Sequence, residues 1–98
     1  MAVIRYAPRA LSDLERLCDF LAQSDPGAAE RTVELILTAV EILEQHPLIG
    51  RPAEAGLREL VISRGKSGYL ALYRYDEARN RVMVLSIRHQ REAGYVGK

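Results

Sequence analysis

Apolar residues change their period once along this chain, and the change divides it into two parts. Leu11, Leu14, Leu17, Cys18 and Leu21 recur at intervals of three and four, the spacing that lines one face of a helix. Asp13, Glu15, Arg16 and Asp19 fall largely on the other side. Pro8 stands at the first helical position, where the amide it lacks has no partner to lose. Ser24, Asp25, Pro26 and Gly27 interrupt the pattern, and Asp25 supplies an N-cap and Pro26 a first residue for a second helix. That helix carries Ala29, Val33, Ile36, Leu37, Val40 and Leu43 on one face, and Pro47 ends it. Two helices joined by so short a turn predict an antiparallel hairpin.

From Leu57 the period is that of strands. Leu57 to Ser63, Tyr69 to Tyr75 and Arg81 to His89 are predicted strands, and the short run Ala2 to Tyr6, rich in β-formers, is another. Arg64 to Gly68 and Asp76 to Asn80 suit hairpin connections, so an antiparallel meander follows. The last strand is apolar on both faces and is therefore placed inside the sheet. Alternation sets Tyr69, Ala71, Tyr73 and Tyr75 on one face, and Leu70, Leu72 and Arg74 on the other. Parity alone leaves open which set meets the helices. Between the two parts, Pro47-Leu48-Ile49-Gly50-Arg51-Pro52 reads as a structured loop. Gly50 is expected to hold a backbone conformation closed to other residues, and Arg51 to tie the loop to the sheet or a helix end. The fold class is α+β in the order β-α-α-β-β-β: an N-terminal strand, then a helical hairpin on one face of an antiparallel sheet, forming a single domain over residues 1–98.

Charge adds something the periodicity does not show. The net charge of +1 conceals five basic against nine acidic residues in 1–56, a balance of −4, and nine against four in 57–98, a balance of +5. One part of the molecule presents anions and the other cations. Twelve of the fourteen basic residues are arginines, suited to planar recognition of carboxylate or phosphate. Cys18 has no second cysteine to pair with, which suits a reducing cytosol. No apolar run approaches the ~20 residues that span a bilayer, and the N-terminus lacks the apolar region of a signal peptide. A cytoplasmic protein without membrane contact is expected.

Candidate chemistry gathers where the last strand leaves the core: Arg88, His89, Gln90, Arg91, Glu92 and Tyr95. Cleavage of RNA by its 2′-hydroxyl needs a base, an acid and cations around the phosphorane. His89 could move protons, Arg58, Arg74 or Arg88 could hold the phosphate, and Glu59 or Tyr95 could complete the set. The tyrosine stripe reads as sheet packing rather than a base-stacking platform, and His46 as a helix-end cation. Gly65-Lys66-Ser67 lacks the upstream glycine of a phosphate loop. No spacing suits a metal, and no motif suggests a cofactor.

Ala10-Leu11-Ser12-Asp13-Leu14, the loop Pro47 to Pro52, Arg58-Glu59-Leu60, Tyr69-Leu70-Ala71-Leu72-Tyr73-Arg74 and Ile87-Arg88-His89-Gln90-Arg91 together resemble the RelE/ParE toxin superfamily of bacterial type II toxin-antitoxin modules, and most of all its ParE branch. The resemblance implies a helical hairpin on an antiparallel sheet, with the first strand at the edge beside the last. It also implies a ParD-like antitoxin as partner. The RelE branch cuts ribosome-bound mRNA with several lysines and arginines on central strands and a tyrosine near the C-terminus; the ParE branch poisons DNA gyrase and lacks those residues. Here Lys66 is the single lysine in the middle of the chain, Gln90 follows His89, and Tyr95 lies six residues beyond it. The resemblance therefore favours a gyrase inhibitor with no catalytic residues, no metal, no cofactor and no sequence-specific DNA binding. Arg88, His89, Arg91 and Tyr95 would meet the target, and Leu14, Leu17, Leu21, Arg58 and Arg74 the antitoxin. The alternatives are an mRNA endonuclease built on His89, Arg58, Arg74 and Tyr95, and a non-toxic module that only binds its antitoxin.

Overall fold

A computed structural model describes residues 1–64 and 67–92. Helix α1 spans Pro8–Ala22 and α2 spans Pro26–Val40, each with proline in its first turn. Asp25 caps α2 as its position predicts, with Oδ1 accepting from the amides of Gly27 at 3.0 Å and Ala28 at 3.2 Å. Beyond Val40 the chain tightens into a 3-10 turn, Glu41–Glu44, instead of continuing as α-helix toward Pro47. Residues three apart eclipse in that geometry, so Leu43 follows Val40 into the core, and both are fully buried.

The stripes that the helices bury are rotated from those the apolar spacing predicts. On α1 the buried residues are Ala10, Asp13, Leu14 and Leu17, while Leu11 is 54% exposed. On α2 they are Ala29, Thr32, Ile36 and Val40, with Val33 and Leu37 displaced from the contact. Asp13 was expected on the polar side and is instead 2% exposed. A helical period fixes a face only to within about one residue; Asp13 is drawn inward because it has hydrogen-bond partners there.

Five strands form one sheet in the order β1-β5-β4-β3-β2, with β1 Val3–Tyr6, β2 Arg51–Pro52, β3 Arg58–Arg64, β4 Ser67–Asp76 and β5 Arg81–His89. The three later strands make the expected meander. The sheet is mixed, however: β1 runs parallel to β5, from Val3 opposite Arg81 to Tyr6 opposite Val84. Parallel neighbours need a long crossover, and the helical hairpin is part of it. Both long edges of β5 thus begin paired, as its two apolar faces suggest. A bulge sets Leu72 opposite Ser86 but Tyr73 opposite Val84, leaving Leu85 as the extra residue.

The structure settles which sheet face meets the helices. Tyr69, Ala71 and Tyr73 are buried there with Val82, Val84, Ile87 and the helical Leu14, Leu17, Ile36 and Val40. Tyr73 also pins the loop before β2. Its hydroxyl donates to the carbonyl of Pro47 at 2.8 Å and accepts from the amide of Gly50 at 2.9 Å. Gly50 does not adopt the left-handed backbone expected of it; among the described residues positive φ occurs at Ala55, Gly56 and Asn80. Close approach is what requires glycine, since a Cβ on Gly50 would lie 2.6 Å from both the hydroxyl and Cε1 of Tyr73. Arg51 does tie the loop to the sheet, through Nε to Glu59 Oε1 at 2.8 Å.

Candidate functional site

The end of β5 stays paired with β4 as far as His89, but on its other edge, beyond β1, it is held by side chains rather than by a strand. β1 stops at Tyr6, and the last backbone bond on that edge runs from the Ala7 amide to the Val84 carbonyl at 2.9 Å. From there the β5 edge would carry bare polar groups, which a buried strand cannot leave unsatisfied. Asp13 Oδ2 accepts from the Ile87 amide at 2.8 Å and from Ser86 Oγ at 2.6 Å. Arg16 Nη2 reaches the Ile87 carbonyl at 3.4 Å, and Arg16 Nη1 donates to Glu92 Oε2 at 2.9 Å. Glu92 Oε1 in turn accepts from the His89 amide at 2.8 Å. Of the set Asp13, Ser86, Arg16 and Glu92, only Glu92 was singled out from the sequence, as part of the polar cluster at the end of β5. For Asp13 the one signal was spacing: it lies three residues after Ala10 and four before Leu17, on the buried stripe by position though not by residue type.

His89 continues the helix-facing row of β5, opposite Tyr69, whose ring it meets edge-on at 5.2 Å and 88°. Its Nδ1 accepts from the Arg91 amide at 3.1 Å. That bond assigns the proton of the neutral ring to Nε2, so the free nitrogen is a donor. Arg88 points from the opposite face. Its Nη1 donates to the carbonyls of His89, Gln90 and Glu92 at 3.3, 3.3 and 2.5 Å, so this arginine binds the turn. Between α1 and the strand ends lies a groove of about 680 Å³, walled by Leu17, Phe20 and Leu21 on one side and Tyr69, His89 and Arg91 on the other. Phe20, at 69% exposure, is its most prominent apolar group and was not singled out from the sequence.

Other residues that the sequence grouped together are kept apart. Arg58 pairs with Tyr73 and spends its guanidinium on the carbonyls of Gly50 at 2.8 Å and Leu48 at 3.2 Å. Tyr73 is four residues from Tyr69, the partner of His89, a separation of about 13 Å along β4. Arg74 is exposed on the opposite sheet face. Among the described nuclease candidates, His89, Arg58 and Arg74 therefore do not converge on one phosphate, Arg88 holds the turn carbonyls and Glu59 pairs with Arg51; Tyr95 lies outside the described residues. Of the apolar residues assigned to an antitoxin, Leu14 and Leu17 are 8% and 5% exposed and serve the core, while Leu21 is half-buried at the groove. Among the described residues no cluster of His, Cys, Asp or Glu could hold a metal ion, and no helix is long and apolar enough to cross a membrane.

The helical layer exposes more acids than bases, although Arg9 and Arg31 are exposed on it as well. Exposed Glu15, Asp19, Glu30, Glu34 and Glu41 lie on or directly after the helices. Exposed Arg5 and Arg74 flank Met83 on the face away from them.

The family model described as the ParE toxin of the type II toxin-antitoxin system parDE matches residues 4–94. The chain belongs to this ParE toxin family. Relatives carry both names of the wider superfamily. Toxin RelE3 of Caulobacter vibrioides is 40% identical over 93 residues, which cover 94% of this chain and 98% of that protein. Among solved structures, the chromosomal ParDE system of P. aeruginosa matches with a TM-score of 0.74 and 26% identity, covering 89% of this chain and 94% of that one. The RelBE2 complex of Mycobacterium tuberculosis matches with a TM-score of 0.61 and 28% identity, covering 91% and 98%. The chain is thus the toxin of a type II toxin-antitoxin system of the RelE/ParE superfamily, with that superfamily's fold of two helices on a five-stranded sheet.

Proposed function

We propose that this toxin arrests growth by inhibiting DNA gyrase, through a binding surface at the end of β5, and that a ParD-like antitoxin neutralises it. The observation that carries the reading is the dispersal of the nuclease candidates. Arg58 is committed to loop carbonyls, Arg74 lies on the other face, and the ring nitrogen of His89 that could accept a proton already accepts from Arg91. A general acid-base mechanism needs its groups within hydrogen-bond reach of one substrate, whereas an inhibitor needs only a surface of fitting shape and charge. The groove supplies such a surface: Phe20 and Leu21 offer apolar contact, and His89 and Arg91 offer donors. The match to the ParE family and the likeness to a solved ParDE system support the same direction.

One observation favours mRNA cleavage instead: a relative 40% identical over nearly the whole chain is named a RelE toxin. Two assays on the purified chain separate the readings. Gyrase supercoiling should be blocked, with cleaved DNA complexes accumulating, while ribosome-bound mRNA stays intact. Deleting Glu92 to Lys98 should weaken growth arrest more than His89→Gln does. Toxin-dependent cuts within codons at the ribosomal A site, abolished by His89→Gln, would overturn the gyrase reading. A chain that arrests growth in neither form, when expressed without its antitoxin, would be the binding-only module.

A further inference from the structure

We propose that Arg16 is a positioning residue for target engagement: by joining Asp13 to Glu92 across the unpaired edge of β5, it fixes the turn from His89 to Glu92 and so the donors that His89 and Arg91 present to the groove. This rests on the reading that the end of β5 meets the target. The turn is clasped from both sheet faces. Arg88 gathers three of its carbonyls from one side, and Arg16 holds Glu92 from the other at 2.9 Å. Glu92 transmits the constraint, because one carboxylate oxygen takes Arg16 and the other takes the His89 amide. The anchor is Asp13, buried and fixed by Ser86 and Ile87, with its other oxygen 3.5 Å from Arg16 Nη2. A guanidinium fork serves the two carboxylates and the Ile87 carbonyl at once; an ammonium at the end of a lysine has no such planar reach.

The side chain of Arg16 is 38% exposed, more than a purely structural buried pair would be. Arg16 lines the same groove as Phe20 and Leu21, so the residue that sets the turn is also adjacent to the surface it shapes. Through this clasp an α1 side chain far from the C-terminus in sequence controls the donors at the end of β5.

The test compares Arg16→Gln, Arg16→Lys, Glu92→Gln and the double variant Arg16→Gln with Glu92→Gln, with Ile36→Val as a core control. Hydrogen exchange of the His89 amide, measured against that of Val84 in the same chain, reads the turn directly. It should speed up by about tenfold or more in Arg16→Gln. The dose needed for growth arrest should rise by about tenfold in Arg16→Gln and Glu92→Gln, and the double variant should be no weaker than the weaker single, since both act through one contact. Arg16→Lys should recover only part of the potency. Unchanged His89 exchange in Arg16→Gln would overturn the proposal, as would an equal loss of potency in Ile36→Val at a matched fall in thermal midpoint. Full potency in a His89→Ala, Arg91→Ala variant would overturn the target reading itself, even with the exchange result intact.

Discussion

Removing the hydroxyl of Tyr73 tests whether the loop between the helices and the sheet is a built part of the fold. Tyr73 is fully buried, and its hydroxyl donates to Pro47 and accepts from Gly50 in one place. Tyr73→Phe keeps the ring and its packing but deletes both bonds. Each is worth about 1 kcal/mol net, and the buried Gly50 amide is left with a desolvation penalty of about 1–3 kcal/mol. The Pro47 carbonyl is only part-buried and can recruit water, so the combined loss should be about 2–3 kcal/mol. For a chain of this length that lowers the thermal midpoint by roughly 10–20 °C. Urea unfolding should show the drop with an unchanged slope, because the same surface is exposed on unfolding. Gly50→Ala should destabilise through the same contact, since its Cβ would force the Tyr73 ring from its place. The two changes together should therefore cost less than the sum of each alone. A loss in Tyr73→Phe below about 0.5 kcal/mol would refute the reasoning, for it would mean that these bonds contribute no more than water does.

Three further outcomes follow from the same geometry. Burial raises the Tyr73 hydroxyl above its usual 10.0, against the smaller opposing effects of the Gly50 amide and Arg58. The folded chain then holds that proton more tightly than the unfolded one, so its contribution to stability is complete below pH 10.0 and is lost as pH rises through the folded value. Stability in an alkaline series should fall less steeply for Tyr73→Phe than for wild type, with Tyr6, also raised by burial and by Glu41, common to both. Asp13→Ala should destabilise by about 2–4 kcal/mol in urea unfolding, because Ile87 and Ser86 both lose a buried acceptor; a loss under about 1 kcal/mol would show that water closes the β5 edge instead. Binding to the antitoxin should be nanomolar or tighter and should weaken as salt is raised, given the excess of exposed acids on the helical layer and the exposed arginines on the sheet face away from it; micromolar affinity indifferent to salt would refute a charge-guided contact.

Much of the fold was legible because it follows from local rules. Proline at the first helical position, Asp25 as a cap, the switch from helical to strand period near residue 57 and the interval between β4 and β5 depend on neighbours in sequence, and each stands in the structure where the pattern puts it; the interval read as Arg64 to Gly68 is shorter, since Arg64, Ser67 and Gly68 belong to strands. The polar cluster at the end of β5 was visible for the same reason, since a strand fixes the order of the residues it delivers. Arg51 could be named as a tie for its loop because two prolines and a glycine around it already restrict the chain.

What the sequence by itself determined is therefore the order of the main helices and strands and its own separation of charge; what only the tertiary structure decided is the short strand β2 inside the predicted loop and which groups meet. Parity could not choose the tyrosine face over the leucine face, because β4 is apolar on both and only the position of the hairpin breaks the tie. The rule that puts a carboxylate outside a helix failed at Asp13, since an edge of β5 left bare where β1 ends offers it partners worth more than water. Gly50 was marked for a special backbone conformation it does not adopt; its constraint is close approach to the ring of Tyr73, 23 residues away. His89, Arg58 and Arg74 share the chemistry of a nuclease on paper, but sheet register sets them on different faces and at different ends. Contacts of this kind depend on three-dimensional distance between residues remote in the chain, and a one-dimensional pattern carries no record of it.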